Sequence, residues 1–484
     1  MSTTAGPNAK ARSRPGGAAL LGLGLAVMAL SLYLWPGPPK LAWSDEIVYA
    51  AMARNIAAGR GATSSFYDAR SIAERGWPLG DVHMPGHALL LSAAFAALGP
   101  REAAAPLVPA LAFLAAGVAL WRAARRVVSP TAAVVCAGSL YLFPSLARYA
   151  GTAMAETPVV LLACLHLVSW WRAHERPTAR RLAVLGLLLG LGATVRETFL
   201  ALLVPSLLLL WLLPRGRRLR AAASLLAPLA AYLVLVFLPL SRARAPYPFY
   251  LEDLLARPTA ASVVRAFADN ALANLRSLAW PGPEEATGLT TLLVVVATVS
   301  ALVLLRRRGP RQLAATYLLL AVVSTVLPLA VTYKLWGWTG LRSLLLLAPA
   351  TLVCVAALLD AVRSARLRRG GTVVALVALL AVSAFLDRRL VADRLQELEA
   401  GEEQARAIEA ALACPAAHVL VAEEAFRYGW RRPDAVVVWQ GRLPEATLLG
   451  VAARAGAPSA TVVEAQLANG DQVTAIGCQP MPGR

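Results

Sequence analysis

The sequence predicts an all-α polytopic membrane protein that carries a small α/β domain at its C-terminal end. Of its 484 residues, 58% are apolar and only 15% are charged, whereas soluble domains average about 25% charged residues. Apolar runs of the length that a bilayer requires recur from residue 16 to residue 387. From residue 388 the pattern changes to one charged, helix-like stretch followed by short β-rich runs.

About 11 to 13 transmembrane helices are expected. The candidate spans are 16–35, 103–121, 130–147, 157–172, 182–195, 198–213, 219–240, 288–305, 312–333, 341–362 and 371–387. The apolar piece 88–98 is too short to cross easily, since a span needs about 20 residues, and it is predicted to be re-entrant or interfacial. If it does cross, one basic cluster falls on the unexpected side.

The net charge of +19 is distributed in a way that indicates membrane orientation rather than nucleic-acid binding. Basic clusters begin near residues 122, 172, 215, 306 and 363, at every second junction between spans, and another lies in the N-terminal tail 1–15. By the positive-inside rule these segments are cytoplasmic. The first apolar run is predicted to be an uncleaved span, because "PGPPK" after it offers no small-x-small cleavage site.

The remaining loops therefore share the opposite, extracytoplasmic side. They are 36–102, the turns near 148, 196 and 333, the segment 241–287, and the tail 388–484. Alanine- and arginine-rich composition fits a bacterial source, so the predicted location is a bacterial inner membrane with the N-terminus in the cytoplasm.

The tail is predicted to be a small α/β domain, with β-rich runs such as "AHVLVAE" and "AVVVWQG" around helix-like segments. It contains no nucleotide-binding glycine motif. Cys414 and Cys478 both lie in it and form a disulfide candidate if the tail is outside the cytoplasm. The other three cysteines fall within apolar runs and are read as small core residues.

Two adjacent carboxylates, Asp45 and Glu46, follow the first span at the head of a short helix that Gly59 and Gly61 are predicted to end. Together with Ser44, either could cap that helix. Capping does not require both. A carboxylate at the low-dielectric boundary has its pKa raised readily, which suits a general base that takes a proton from an acceptor hydroxyl or amine.

His83 and His87 lie in "GDVHMPGHALLL", where Pro85 and Gly86 interrupt the helical spacing that a histidine metal pair would need. A loop that enters the membrane and donates to a phosphate is favoured over a metal pair. Anchoring of the two histidines at the membrane interface is as well supported as phosphate binding.

Six further ionisable residues lie at the predicted outer ends of spans. They are Arg148, Glu156, Arg196, Glu197, Lys334 and Arg342. Positive charge on this side is against the usual bias, so each basic residue is expected to have an acidic partner or an anionic ligand. In one cavity, the basic residues would bind phosphate or pyrophosphate, which arginine contacts bidentately. The tryptophans beside Lys334 are most simply an interfacial belt.

A carboxylate base and cationic phosphate contacts on the extracytoplasmic face predict group transfer from a lipid-linked phosphate, because nucleotide sugars are not supplied there. A polyprenyl phosphate would be the leaving group, stabilised by the cations. The expected partners are a polyprenyl-phosphate-linked sugar donor, a lipid, glycan or protein acceptor, and membrane lipids, with no nucleic acid.

The order of motifs resembles the GT-C glycosyltransferases, most closely the protein O-mannosyltransferase and lipid A 4-amino-4-deoxy-L-arabinose transferase branch. The motifs are "DEIVYAAMARNIAAGRG", "HMPGHALLLSAAFAALGP", "YLFPSLARYAGTAMAETPVVLL", "LGLLLGLGATVRETFLALL" and "LRSLLLLAP", within residues 16–350. The resemblance implies that Asp45 is catalytic with Glu46 beside it, that Glu156 is the second acidic position, and that Arg196 and Arg342 contact the donor phosphate. Some members use a divalent metal ion near the acidic residues and others do not, and the sequence leaves both open.

Two departures leave the substrate open. The loop motif has Met84 and Pro85 where relatives usually have two prolines, and residues 62–82 match no motif of the class. A flippase or transporter is the main rival, but it would place charges through the depth of several spans and break paired helices. A non-catalytic binding protein and a lipid-linked oligosaccharide ligase are also compatible with the pattern.

Overall fold

The structure is a computed structural model of the chain. It describes residues 15–33, 40–64, 66–68, 83–143, 146–239, 259–279, 285–332, 342–362, 364–414, 418–422, 425–439, 444–454, 462–467 and 471–481.

The helices are numbered here in chain order. They are α1 (Pro15–Tyr33), α2 (Ser44–Ala57), α3 (Gly86–Leu98), α4 (Leu107–Ala124), α5 (Pro130–Tyr141), α6 (Leu146–Ala150), α7 (Glu156–Glu175), α8 (Ala179–Val195), α9 (Leu203–Leu212), α10 (Arg215–Tyr232), α11 (Ala260–Ala279), α12 (Glu285–Leu305), α13 (Pro310–Thr332), α14 (Ala348–Asp360), α15 (Ala365–Ala411), α16 (Phe426–Arg431) and α17 (Glu445–Arg454). Short 3-10 turns occur at Glu102–Ala104, Glu197–Leu202 and Leu345–Leu347, and a π turn at Leu233–Phe237.

Helix covers most of every apolar range that the sequence predicts to span a membrane. Within the described residues, four segments have both the length and the hydropathy of a span: Glu102–Ala124, Arg215–Phe237, Pro310–Leu329 and Arg342–Asp360. Helix α3 has 13 residues and is about 20 Å long at 1.5 Å per residue, which is less than the roughly 30 Å of hydrocarbon. The predicted polytopic helical fold is confirmed.

Helix α3 begins in direct contact with the end of α8. A Cβ atom at Gly86 would overlap the backbone carbonyl of Thr194, so the two helix ends approach this closely only because residue 86 is glycine. The next residue, His87, is thereby fully buried and donates from Nε2 to the carbonyl of Ala153 at 2.7 Å. This junction brings the "HMPGH" segment to the ends of α7 and α8.

The start of α2 is capped by Glu46, one of the cap candidates in the sequence, and not by Ser44 or Asp45. The helix begins at Ser44, and the Glu46 carboxylate accepts from the backbone N–H of Trp43 at 3.2 Å and of Ala42 at 2.7 Å. A glutamate in the first turn that reaches back in this way forms half of a capping box. Of the two adjacent carboxylates, Glu46 is thus engaged in hydrogen bonds with the backbone, which leaves Asp45 for a different role.

Helix α15 runs for 47 residues without interruption. It joins the predicted last span, 371–387, to the charged stretch that follows, because the sequence between them contains no proline. The predicted domain boundary at residue 388 therefore lies inside a helix, which carries the chain directly from the bundle into the C-terminal region.

The strands are β1 (Phe66–Asp68), β2 (Leu412–Ala413), β3 (Val419–Val421), β4 (Val436–Trp439), β5 (Val462–Gln466), β6 (Gln472–Ile476) and β7 (Gln479–Pro480). Five of them form one sheet in the order β1-β4-β3-β6-β5, and β2 pairs with β7. The strand-containing C-terminal region is as predicted, but its edge strand β1 comes from the first loop.

Strand β1 pairs in parallel with β4, with Phe66 opposite Val437. The Phe66 ring lies 5.2 Å from that of Phe426, and it packs where a Cβ at Gly429 would stand. The first loop and the C-terminal region are therefore joined by both backbone pairing and side-chain packing.

Candidate active site

Asp45 lies in the first turn of α2 with its side chain 29% exposed. Its Oδ2 accepts from Arg342 Nη2 at 2.7 Å, and its Oδ1 lies 3.3 Å from His83 Nε2. The carboxylate is thus held between a cation and an imidazole and still keeps access to solvent.

Glu156 begins α7 and is fully buried. Its Oε1 accepts from Arg342 Nε at 2.6 Å and from Arg196 Nη2 at 3.2 Å, while Arg196 Nη1 donates to the backbone carbonyl of Arg342 at 2.7 Å. Asp45, Arg342, Glu156 and Arg196 therefore alternate in charge along one continuous contact path, which we term the ion-pair chain. It joins helices that lie up to about 300 positions apart in sequence.

The charges of the ion-pair chain set the protonation state of Asp45. Burial raises the pKa of its carboxyl, but the positive charge of Arg342 and the hydrogen bond with His83 lower it more, so the pKa lies well below its ordinary value. The sequence favoured a raised pKa; the close guanidinium reverses the sign. Asp45 is accordingly ionised at neutral pH, and it is a weak base for as long as Arg342 stays in contact.

Two tyrosines that the sequence analysis did not select lie beside the ion-pair chain. Tyr49 follows Asp45 by four residues and lies on the same face of α2, with its ring edge-on to His83 at 4.9 Å and to His87 at 5.0 Å. Burial and the charge of Asp45 raise the pKa of the Tyr49 hydroxyl. Tyr149 is 1% exposed, 6.0 Å from the ring of Trp43. The four-residue spacing from Asp45 was the signal for Tyr49.

The two histidines do not form a pair. His83 faces Asp45 and His87 binds a backbone carbonyl, with the Tyr49 ring in edge contact with both. A divalent metal ion shared by Asp45 and Glu156 does not fit this arrangement either, because the guanidinium of Arg342 lies between the two carboxylates.

Glu46 is placed differently from its neighbour. It is fully buried, and besides the two cap contacts it accepts from the Ala153 N–H at 3.3 Å and from Arg394 Nη2 at 2.9 Å. Its oxygens face backbone and arginine, not solvent. The predicted role of Glu46 as a second catalytic carboxylate is therefore replaced in our interpretation by a structural one.

The other selected residues lie around this centre or outside the described chain. Arg148 is buried in α6, and its charge acts on Arg394. Glu197 opens the 3-10 turn that follows Arg196 and is half-buried. Lys334 lies outside the described residues, as do the two tryptophans near it.

Cys414 and Cys478 are joined in a disulfide, beside the β2–β7 pair. Both lie close to His418, and these three residues make the one cluster of metal-ligand type that the described part of the chain contains. Since both sulfur atoms are bonded to each other, they do not offer the thiolates that a metal requires. The cluster is therefore a covalent link within the C-terminal region, and the ion-pair chain stays the centre of interest.

Comparison with known proteins agrees with the fold. Residues 82–241, about a third of the chain, match the dolichyl-phosphate-mannose-protein mannosyltransferase family. No curated protein sequence matches the chain. The structure of apo ArnT from Cupriavidus metallidurans is 14% identical, with 95% of this chain and 97% of that one covered at a TM-score of 0.51.

Two more solved structures are similar. ArnT from Cupriavidus metallidurans bound to undecaprenyl phosphate is 15% identical, covers 96% and 98% of the two chains, and has a TM-score of 0.50. The Archaeoglobus fulgidus oligosaccharyltransferase with zinc and sulfate is 15% identical with a TM-score of 0.45, and the match covers 76% of this chain and 53% of that one. The chain thus spans about half the length of that protein.

The apolar helices and the polar centre at their ends are those of a polytopic membrane protein. The chain resembles ArnT in fold, and its residues 82–241 match the protein mannosyltransferase family. The predicted resemblance is confirmed.

Proposed function

We propose that the chain is a glycosyltransferase that moves a sugar from a polyprenyl phosphate to an acceptor on the extracytoplasmic face of a bacterial inner membrane. The observation that carries the proposal is the ion-pair chain. It sets two arginines and an ionised, partly exposed carboxylate together at the end of a helical membrane bundle. ArnT, which has this fold, is described as binding undecaprenyl phosphate.

Arg342 and Arg196 are the proposed contacts for the donor phosphate. Guanidinium groups bind phosphate oxygens through paired N–H donors, and both side chains are 17–18% exposed. Glu156 contacts both and holds their planes in place, so we assign it the positioning of the arginines instead of proton transfer. The charge that develops on the leaving phosphate would be stabilised by these cations.

Asp45 is the proposed general base. The acceptor oxygen or nitrogen attacks the anomeric carbon, its proton passes to Asp45, and the bond from that carbon to the phosphate oxygen breaks with its electron pair left on the polyprenyl phosphate. A phosphate that takes the Arg342 donor now bound to Asp45 would raise the pKa of Asp45 towards its ordinary value. Donor binding therefore makes Asp45 a stronger base at the step where it is needed.

The test is transfer of labelled sugar by purified protein in lipid, from a panel of polyprenyl-phosphate sugars to acceptors in a membrane extract. We expect product from the wild type and transfer about 1,000-fold slower from Asp45→Asn, since a general base contributes roughly 10²–10⁴-fold. Asp434→Asn, in the C-terminal region beside Arg432, is the matched control and should transfer normally. Donor that is bound but never transferred by the wild type would instead favour a flippase or a binding protein.

A further inference from the structure

Arg394 contacts the segment that leads into α2. It belongs to the part of α15 that extends beyond the predicted last span, and its side chain is 3% exposed. Nη2 lies 2.9 Å from Glu46 Oε1 and 3.0 Å from Oε2, and it donates to the backbone carbonyl of Lys40 at 2.7 Å. The guanidinium also lies 5.4 Å from the ring of Trp43. One side chain thus holds the N-cap, the capping carboxylate and the preceding backbone.

Glu46 and Asp45 are neighbours in one helical turn, so the position of one fixes the position of the other. Successive residues on a helix differ by about 100° in direction and 1.5 Å in height. With Glu46 held inward by Arg394, Asp45 is directed to Arg342, which it contacts at 2.7 Å. A rotation of α2 that released Glu46 would also move Asp45 out of that contact.

The surrounding contacts fix the same two parts of the chain to each other. Arg427 of α16 lies 2.9 Å from Glu102 and donates to the carbonyl of Leu41 at 3.2 Å. Arg54 of α2 donates to the carbonyl of Trp430 at 2.8 Å and lies over its ring at 4.5 Å. The C-terminal region therefore binds α2 at both its beginning and its end.

We propose that Arg394 is a positioning residue for the reaction, and that through Glu46 the C-terminal region sets the orientation of Asp45 in the active site. This inference rests on the proposed function of Asp45. A buried carboxylate that loses its cationic partner is strongly destabilised, so α2 without Arg394 would shift until Glu46 reached water or another donor.

The experiment compares Arg394→Met with the wild type in the transfer assay. Displacement of a reacting group by about 1 Å can lower a rate about 100-fold. We therefore expect kcat to fall about 100-fold while KM for the donor changes little, because Arg196 and Arg342 are untouched. Arg394→Lys keeps a positive charge within reach of Glu46, and its kcat should be about ten-fold higher than that of Arg394→Met.

Two further variants separate positioning from general damage. Arg432→Met removes an arginine of the same region that donates to the carbonyl of Cys414, and it should leave kcat unchanged. Adding Glu46→Gln to Arg394→Met removes the unpaired buried charge, and the double variant should be more active than Arg394→Met alone.

Hydrogen exchange of residues 44–57 gives a measurement that does not depend on activity. Arg394→Met should accelerate exchange in this helix, and Arg432→Met should not. Unchanged exchange, or full kcat in a folded Arg394→Met protein, would overturn the positioning role while leaving the proposed function intact. A wild type that transfers no sugar would refute the proposed function, and the exchange data would still decide whether Arg394 fixes α2.

Discussion

One helical segment, Arg342–Asp360, has an ion cluster at each end, and the two clusters differ in how completely their carboxylates are used. At one end Asp360 accepts from Ser129 Oγ at 2.8 Å, from the Ser129 N–H at 3.2 Å and from Arg311 at 3.0 Å. Both of its oxygens are bound by groups from neighbouring helices. This cluster ties α5, α13 and α14 together.

At the other end Arg342 serves two carboxylates at once. Glu156 Oε2 has no hydrogen-bond partner among the residues that the structure describes, and Asp45 remains 29% exposed. A buried acceptor left without a donor is costly. If the contact served only to hold the helices together, every carboxylate oxygen could be hydrogen-bonded, as both oxygens of Asp360 are. Charge at a helix end therefore identifies a site only when its hydrogen-bonding capacity is incompletely used.

The largest difference is expected between Asp45→Asn and Asp360→Asn. Loss of a general base lowers a rate by roughly 10²–10⁴-fold, so Asp45→Asn should reduce kcat by about 1,000-fold. Sugar transfer by the two purified variants measures this. Equal activity of the two would remove the functional distinction between the clusters.

The next largest effect is expected from Arg342→Met, with Arg311→Met as its counterpart at the other end. Removing Arg342 leaves the fully buried Glu156 with Arg196 alone, which we expect to lower the free energy of unfolding by about 3 kcal/mol as well as to weaken donor binding. Thermal unfolding in lipid, with and without undecaprenyl phosphate, gives both quantities. Arg311→Met should not alter the response to undecaprenyl phosphate; a loss of response there would contradict the distinction between the two clusters.

Asp360→Asn itself should have a modest effect on stability. It removes charge from a contact with an arginine whose side chain is 30% exposed, and hydrogen bonds to such groups contribute about 1 kcal/mol. Chemical unfolding monitored by tryptophan fluorescence would show this decrease. If instead kcat fell while stability held, the Asp360 cluster would have a role in the reaction.

The smallest expected effect is a separation between two pH profiles. In the free protein Arg342 and His83 hold the pKa of Asp45 below its ordinary value. Protonation of Asp45 should therefore not decrease kcat/KM until the pH falls below about 4. In the donor complex the phosphate draws Arg342 away, the pKa of Asp45 rises, and the acid limb of kcat should lie at higher pH. Coincident limbs would show that Arg342 stays on Asp45 during the reaction.

The same shift affects stability in a defined direction. A carboxyl whose pKa is lowered by folding stabilises the folded state at pH values above its unfolded pKa of about 3.9, and that contribution is lost as the pH falls further. Asp45→Asn should therefore flatten the fall in stability below about pH 4. This control also shows whether acid inactivation reflects unfolding.

The sequence predicted the helices well because apolar length and turn residues are local signals. The end of α2 is an example, since Gly59 and Gly61 adopt φ values of 73° and 87°, which glycine accommodates without strain. The C-terminal strands were predicted on the same basis. The sequence did not predict that β1 belongs to the same sheet, because the pairing of Phe66 with Val437 depends on contacts between distant segments.

The site was predicted in composition but not in geometry. Asp45, Glu156, Arg196 and Arg342 were selected as ionisable residues at span ends, and the structure brings them together. The sequence could not distinguish Asp45 from Glu46, since adjacent residues differ only in the direction they take from the helix. That direction is set by Arg394, nearly 350 positions later, and no local pattern contains it.

The same long-range pairing bears on the order in which the protein is made. Arg54 and its partner Trp430 are 376 positions apart, so at about 5–20 residues per second the ribosome needs roughly 20–75 s to supply the second after the first. During that interval α2 lacks the C-terminal arginines and the Trp430 ring that hold it, and β1 lacks its strand partner β4. A newly inserted bundle would therefore be inactive until the last quarter of the polypeptide has been synthesised and folded. A chain cut short before α16 would stay inactive in the membrane.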